Sequence, residues 1–437
     1  MKVVIIGGGF AGLQLAKKLN NKRDIEVLLI DQYNYHQFQP LFYQVATAGL
    51  DASNISFPLR KVFHKSHNVR FRLTEVKEIV PAENKINTAV GEFDYDVLVI
   101  ATGANTNFFN NVNFQQYAFP MKSTTEALQL RHSLITTMEE ALDIRDTKKL
   151  EQKLSIAVVG GGPTGVEVSG ALAEMRNNVL PKDYPELDFS LMHIYLLEGS
   201  PKTLGVMSEK SSEQSRKYLE HLGVEVHTGV HVKDYDGDNV VLQDGTIYPA
   251  KTVIWTAGVK GNVPAGINPD LIVRGNRIKV DRTSKVLGSS NIYAIGDVSY
   301  METPKYPKGH PQVANVAINQ ARNLAINLVR QVTGNKHYQD EFEYNDKGSM
   351  ATIGRNKAVV DIPKPKVHFG GVLAWFVWMF LHLVLILGVK NRVQIFINWV
   401  YKYFTYDQSL RLVFNEFNKK QKAAHEAEVV KKKQTVS

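Results

Sequence analysis

At 437 residues the chain is longer than one ordinary hydrophobic core supports, so two or three units of roughly 100–200 residues are expected. An apolar share of 44% with 22% charged residues describes a globular protein, and the lack of cysteine excludes disulfide stapling, thiol chemistry and iron–sulfur ligation by this chain. The formal charge of +9 is lopsided: residues 356–437 carry 13 Lys or Arg against 5 Asp or Glu, beside the most apolar stretch, which favours an anionic lipid surface over nucleic acid.

The opening, MKVVIIGGGFAG, sets a lysine before an apolar run as a signal peptide does. The run ends in glycines with no small-residue cleavage site after it, so it is read as a strand instead. Residues 2–6 form that strand, AGLQLAKKLN continues with helical spacing, and EVLLID at 26–31 is a second buried strand, which together open a βαβ unit. Between the strands, Gly7, Gly9 and Gly12 give G-x-G-x-x-G, with Asp31 closing the second strand. The first two glycines let the backbone turn and approach a pyrophosphate, and the third lets helix and strand pack closely. The helix N-terminus adds partial positive charge, and Asp31 would accept hydrogen bonds from a ribose diol. A further short strand, DVLVIAT at 96–102, ends at Gly103.

The arrangement repeats about 150 residues on. SIAVV at 155–159 leads to Gly160, Gly162 and Gly165, then a helix from about Thr164 to Arg176. A crossover lengthened by NNVLPKDYPELD brings in the strand HIYLLE at 193–198, which ends in Glu198. An acid at the ribose position repels a 2′-phosphate, and Gly-Ser-Pro follows where an NADP site would carry arginine, so NADH is favoured over NADPH. A merely solvated strand end is the alternative for Glu198. Asp236-Gly237 and Asp244-Gly245 signal hairpins, and TVIWTAG at 252–258 and NIYAIGD at 291–297 are further strand patterns. The expected division is a first unit at 1–119 and 268–349, a second inserted at 120–267, and a separate membrane-facing remainder at 350–437.

In that remainder, residues 369–389 form 21 consecutive uncharged positions with His382 as the one strongly polar side chain, long enough for a transmembrane helix. Beyond Lys390 and Arg392, the polar residues Gln394, Asn398 and Lys402 recur every four positions. Val393, Ile395, Phe396, Ile397, Trp399, Val400, Tyr403 and Phe404 lie among them, the pattern of an amphipathic interfacial helix. A helix pair packed in the core is the alternative.

GGGFAG, Ala101-Thr102-Gly103, VVGGGPTGVE at 158–167, WTAG at 255–258 and IYAIGD at 292–297 together resemble the two-dinucleotide flavoprotein reductases over about the first 350 residues. The resemblance implies an α/β fold of two Rossmann-like dinucleotide-binding domains, for FAD and NADH, plus a C-terminal helical membrane-anchoring element. It implies non-covalent FAD at Gly7, Gly9, Ala11, Gly12 and Asp31, at Ala101, Thr102 and Gly103, and at Asp297, which would bond the ribityl–pyrophosphate part. NADH, as substrate, falls to Gly160, Gly162, Gly165 and Glu198, with Ala257 and Gly258. Relatives that reduce disulfides or peroxides, or that pass electrons from sulfide to quinone, need cysteine, which this chain lacks.

HQFQPLFYQVATAGL at 36–50 and the segment LAWFVWMFLHLVLILGVKNRVQIFINWVYKYFTYDQSLRL resemble the type II NADH:quinone oxidoreductases. That resemblance implies hydride transfer from NADH to FAD, then two electrons to a membrane quinone without ion pumping. It further implies a homodimer held monotopically on the cytoplasmic face of the inner membrane, with one span at 369–389 as the alternative. No metal and no nucleic acid are expected. Glu167 stands where the family places a carboxylate between flavin and nicotinamide, although an acid favoured by the helix dipole is an alternative role. The family's quinone-site helix carries Ala-Gln and a second Gln four residues later, whereas this chain has Ala314-Asn315 and then Asn319, each amide one methylene shorter. A soluble FAD-dependent NADH reductase of a protein acceptor, and an NADH-responsive redox-signalling flavoprotein, are the rival functions.

Overall fold

A computed structural model describes residues 1–334, 339–408 and 410–413. Two five-stranded parallel sheets dominate it. In the first, the spatial order is Ile292–Ala294, Val97–Ile100, Lys2–Ile6, Glu26–Asp31 and Val69–Leu73. In the second it is Phe119–Pro120, Thr252–Trp255, Ile156–Val159, Ile194–Glu198 and Glu225–Thr228. Central strands such as Val97–Ile100 and Ile156–Val159 are buried at every residue, the continuous apolar pattern of a sheet covered on both faces. In each sheet a strand ends in a glycine loop that opens a helix: Phe10–Leu19 in the first, Pro163–Asn178 in the second. Both hairpin signals are realised, since Asn239–Leu242 pairs antiparallel with Val232–Tyr235 on one side and with Ile247–Pro249 on the other.

Two antiparallel crossover strands, Ala104–Thr106 and Val259–Gly261, join the units. Thr102 Oγ1 donates to the carbonyl of Asn262 (2.5 Å), and Asn262 N–H donates back to Gly103 (3.0 Å). The chain segments between the sheets are thereby held in one register.

The C-terminal part packs closely on both preceding units. The strands Ser349–Gly354, Lys357–Ile362 and Val367–Gly370 form a small antiparallel sheet packed on the helix Pro163–Asn178. A Cβ at Gly170 would stand 2.2 Å from the carbonyl oxygen of Ile353, so only glycine permits this approach. Trp378, Ile386, Ile395 and Trp399 share one hydrophobic core with Val168 and Leu172 of that helix and with Phe38 and Phe42 of the first unit.

The alternative of a single span is overturned. The apolar stretch forms a helix only over Gly371–Leu385, breaks, and resumes as Val389–Thr405. Gly388 adopts φ +82 at the break, and Arg392 closes the first helix by donating to the carbonyls of Ile386 and Val384, each at 2.8 Å. Fifteen residues rise about 22 Å, short of the ~30 Å hydrocarbon layer. Among the described residues no helix is long and apolar enough to cross a membrane. The core-packed alternative and the amphipathic one are both partly realised, because each helix buries one face and leaves the other apolar and exposed: Leu373 and Phe380 are each 65% exposed and Phe404 78%. The expected polar stripe is not one face. Gln394 is exposed, but Lys402 turns inward, while buried Asn391, which the stripe omitted, donates to the carbonyls of Ser53 and Asn54. The basic tail beyond 413 lies outside the described residues.

Candidate active site

The two glycine loops have the same geometry. Gly7 and Gly160 have φ of +106 and +108, where a side chain would be strained and would strike the backbone of Ala101 or Ala257. A Cβ at Gly12 would stand 1.9 Å from the Gly7 carbonyl, and one at Gly165 would stand 1.8 Å from that of Gly160. These four glycines serve the packing of strand on helix. Gly9 and Gly162, at the helix N-caps, differ, because a Cβ there would meet no protein atom within 4 Å. Each opens onto a cradle at a helix N-terminus, the place and size of space a pyrophosphate takes.

The two acids are also equivalent. Asp31 accepts from the N–H of Gly8 (2.5 Å) and of Tyr33 (2.7 Å), and Glu198 accepts from Gly161 N–H and from Ser200 N–H (2.6 Å). Each carboxylate thus ties the glycine loop to the end of the neighbouring strand and stands at the rim of the cradle. Burial raises the pKa of Asp31, and the backbone donors oppose that rise.

Asp297 sits in a short turn, Gly296–Val298, at the start of the helix Ala314–Val332. Asp297 is half-buried, and desolvation raises the pKa of its carboxyl, with Lys122 and Arg277 acting in the opposite direction. Among the described residues that carboxyl accepts no hydrogen bond, so it awaits a donor such as a ribityl hydroxyl. Gln320, which the motifs did not single out, fixes the turn by accepting from Gly296 N–H (2.8 Å), while Gln312 holds the Asp297 carbonyl (2.9 Å). Ala11 is buried beneath the same turn, its Cβ 3.1 Å from where one at Gly296 would be. The open cradle at Gly9 and the unpartnered Asp297 together fit FAD. Ala257 abuts Gly160, and Gly258 lies under the ring of Phe109, at the edge of the second loop.

Glu167 lies on the first turn and a half of the helix Pro163–Asn178 and is 9% exposed. Burial pushes its carboxyl up to about 8. The N–H of Thr352 reaches it only at 3.5 Å, and the indole N–H of Trp378, near enough to favour the carboxylate, has no hydrogen bond of its own. A simple helix N-terminal acid would be solvated and ionised, so this environment favours a group that holds a proton near neutrality.

Glu167 lines a cavity, partly open to solvent, between the helix Pro163–Asn178, the small sheet and the two C-terminal helices. Trp375, Trp378, Met379 and Trp399 form its apolar walls, and Gln44, Glu174, Arg355 and Lys402 add polar groups. Gln44 bridges two of the elements, donating to Tyr43 Oη and accepting from Trp399 Nε1, both at 2.8 Å. Burial lowers the pKa of Lys402, against the attraction of Glu174. Sequence motifs missed this cavity, and the aromatic residues of 375–399 were its only signal. Ala314, Asn315 and Asn319 do not line it. They stand at the start of the helix Ala314–Val332, where Asn319 Nδ2 donates to the Asn315 carbonyl (2.8 Å).

The model of the pyridine nucleotide-disulphide oxidoreductase family matches residues 1–321, and that of the NDH2 C-terminal domain matches residues 347–406. The chain is 34% identical to the type II NADH:quinone oxidoreductase Ndh of Mycobacterium tuberculosis, over 91% of this chain and 87% of that protein. It is 28% identical to the type II NADH:quinone oxidoreductase of Staphylococcus aureus, over 82% and 89% of the two chains. The solved NDH2 of Plasmodium falciparum in complex with NADH superposes with a TM-score of 0.85 at 22% identity, covering 95% of this chain and 99% of that one. With sequence likeness along nearly its whole length and both glycine cradles in place, the chain belongs to the type II NADH:quinone oxidoreductase family.

Proposed function

We propose a division of labour for the NADH:quinone oxidoreduction, without ion pumping, that this FAD-dependent protein carries out. The unit formed by residues 1–119 and 268–349 binds FAD. Gly9 opens the pyrophosphate cradle, Gly7, Ala11 and Gly12 shape the loop, Asp31 takes the ribose diol, Ala101, Thr102 and Gly103 close the crossover, and Asp297 accepts from the ribityl chain. The unit formed by 120–267 binds NADH. Gly160, Gly162 and Gly165 form its cradle, Glu198 reads the ribose diol and disfavours a 2′-phosphate, and Ala257 with Gly258 borders the nicotinamide end. FAD, when bound, supplies acceptance of the hydride and delivery of two electrons.

The cavity beside Glu167 is the quinone site in this proposal. The observation that carries it is the placement of a buried carboxyl, pushed up to about 8, in a cavity with aromatic walls supplied by the two helices whose outer faces are apolar. Glu167 holds a proton at neutral pH and can give it to a quinone oxygen. The helices Gly371–Leu385 and Val389–Thr405 lie in the membrane interface, so a quinone reaches the cavity from lipid without the protein crossing the bilayer. Ala314, Asn315 and Asn319 border the flavin edge of its path, since their helix begins beside the Asp297 turn. A homodimer on the cytoplasmic face of the inner membrane belongs to the same proposal, and light scattering and protease access in oriented vesicles test it.

The decisive test is Ala171→Phe, which places a ring inside the cavity from the helix that also carries Glu167. NADH should still bleach the flavin, while quinone reduction should fall by about a hundredfold or more, as expected when a substrate is displaced by an Å or so. Unchanged quinone turnover would move the quinone elsewhere.

A further inference from the structure

We propose that Arg355 is the residue that meets the negative charge developing on a quinone oxygen as the quinone is reduced in this cavity. The proposal rests on the assignment of the cavity to quinone. The Arg355 guanidinium lies between two tyrosine rings, its central carbon 4.1 Å from the centroid of Tyr403 and 4.3 Å from that of Tyr406. Its Nε is buried without a hydrogen-bond partner. Among the described residues the guanidinium makes no hydrogen bond and no ion pair at all. The carboxylate close at hand, Glu174, accepts instead from the backbone N–H of Arg355.

The side chain is half-buried and its Nε is enclosed, and a donor so enclosed is ordinarily matched by an acceptor. Here the two aromatic faces replace part of the lost hydration and fix the plane of the group, but they use none of its N–H donors. Arg355 lines the cavity, and with a tyrosine ring against it on either side and Nε enclosed, its terminal amino groups are the donors left without a protein partner among the described residues. Those donors suit an acceptor that arrives in the cavity, and the surroundings define its chemistry. The walls of Trp375, Trp378 and Trp399 suit a flat apolar body, while Glu174 and Lys402 in the same lining oppose each other in charge. A flat guest that gains negative charge on an oxygen during reaction suits both the walls and the free donors of Arg355.

A quinone is such a guest. It takes two electrons from the reduced flavin and two protons, and both carbonyl C=O bonds become C–O–H. An oxygen that has gained electron density before its proton arrives is an anion. One proton comes from Glu167, which is reloaded from solvent, and the second comes from solvent. The guanidinium carries N–H donors and no acceptor, so Arg355 stabilises the oxyanion without competing for either proton. It stands at the end of the cavity marked by Glu174, two helical turns from Glu167. Proton donor and charge stabiliser are therefore separate residues.

The test uses the full-length, FAD-loaded protein, with retained flavin absorbance as the control for folding. Two probes are titrated against the flavin signal: 1,4-naphthoquinone, which is neutral, and 2-hydroxy-1,4-naphthoquinone, whose ring oxygen is ionised at neutral pH. Arg355→Gln should weaken the anion by about tenfold or more and the neutral parent far less, as expected for loss of a charge-assisted donor. Arg355→Lys should recover part of the difference. Turnover with naphthoquinone should fall by about a hundredfold in Arg355→Gln, the usual cost of removing one preorganised oxyanion donor, while NADH bleaches the flavin at the original rate. Equal weakening of both probes, or of neither, would overturn the proposal. Ala171→Phe separates the two levels. If it leaves both probes bound, the cavity assignment itself fails; if it blocks both while Arg355→Gln distinguishes neither, only the role of Arg355 fails. Loss of binding to phosphatidylglycerol vesicles in Arg355→Gln, with both probes still bound, would make Arg355 a lipid-headgroup contact and overturn the proposal.

Discussion

Replacing Glu167 by Gln isolates the energetic consequence of burying this carboxyl. In the folded protein the group titrates near 8 instead of 4.5, and burial is the largest cause. Between those two pH values the unfolded chain releases its proton and the folded chain keeps it. The contribution of this proton is therefore fully present below about pH 4.5, declines by ~1.4 kcal/mol per pH unit as pH rises, and is gone above about pH 8. Over the whole window the change is on the order of 5 kcal/mol, an upper bound because water can enter the cavity. Gln is close in size to the protonated acid and can still accept from Thr352, but it has no proton to lose. Thermal unfolding of wild type and variant across pH 5–9 gives the measurement, and the difference between the two curves removes the titration of every other group. The variant should be no more stable than wild type at pH 5 and more stable by up to several kcal/mol at pH 9. Quinone turnover should show the complementary loss: wild type falling above about pH 8, and the variant low and flat. A stability difference that does not change between pH 5 and 9 would mean that Glu167 is ionised in the folded state, and the proton-donor role would go with it.

Gly9→Val should yield a folded protein without flavin colour, since its side chain enters the empty cradle, whereas Gly12→Val should fail to fold, since its Cβ collides with the Gly7 carbonyl. Stoichiometric FAD in purified Gly9→Val would remove FAD from this loop. Glu198→Ala leaves two backbone N–H groups unpaired, at a cost of about 1–3 kcal/mol in loop order, and together with Ser200→Arg it should weaken NADH and admit NADPH. An unaltered ratio of the two KM values would deny Glu198 the ribose. Phe380→Lys with Phe404→Lys removes two exposed rings from the outer faces of the C-terminal helices and should weaken vesicle flotation by about 3 kcal/mol, more than a hundredfold. Flotation equal to wild type would show that another surface meets the lipid. Deleting residues 369–437 is a poorer test, because Trp378, Ile395 and Trp399 are part of the main core and their loss would expose it.

Local sequence was sufficient wherever the physics is local. A β-branched run, glycines at fixed spacing and an acid at the next strand end define a loop whose geometry depends on about thirty consecutive residues, and both loops, both acids and both hairpins stand where these patterns put them. The pattern also predicted an apolar C-terminal part, but whether it spans, packs or lies flat depended on tertiary contacts. Gly388 and Arg392 end the first helix, and Asn391 and Trp399 fasten the second to residues 44–54, more than 330 positions away in sequence. Glu167 could be named from its place after a motif, yet its proton affinity arises from burial beneath segments that no spacing rule connects to the second loop, and it persists against the Thr352 and Trp378 N–H groups, which favour the carboxylate. The cavity is likewise a product of the tertiary fold alone. Its walls come from five segments brought together because each of them buries apolar surface in one shared core, and burial has no sequence register that a motif could record.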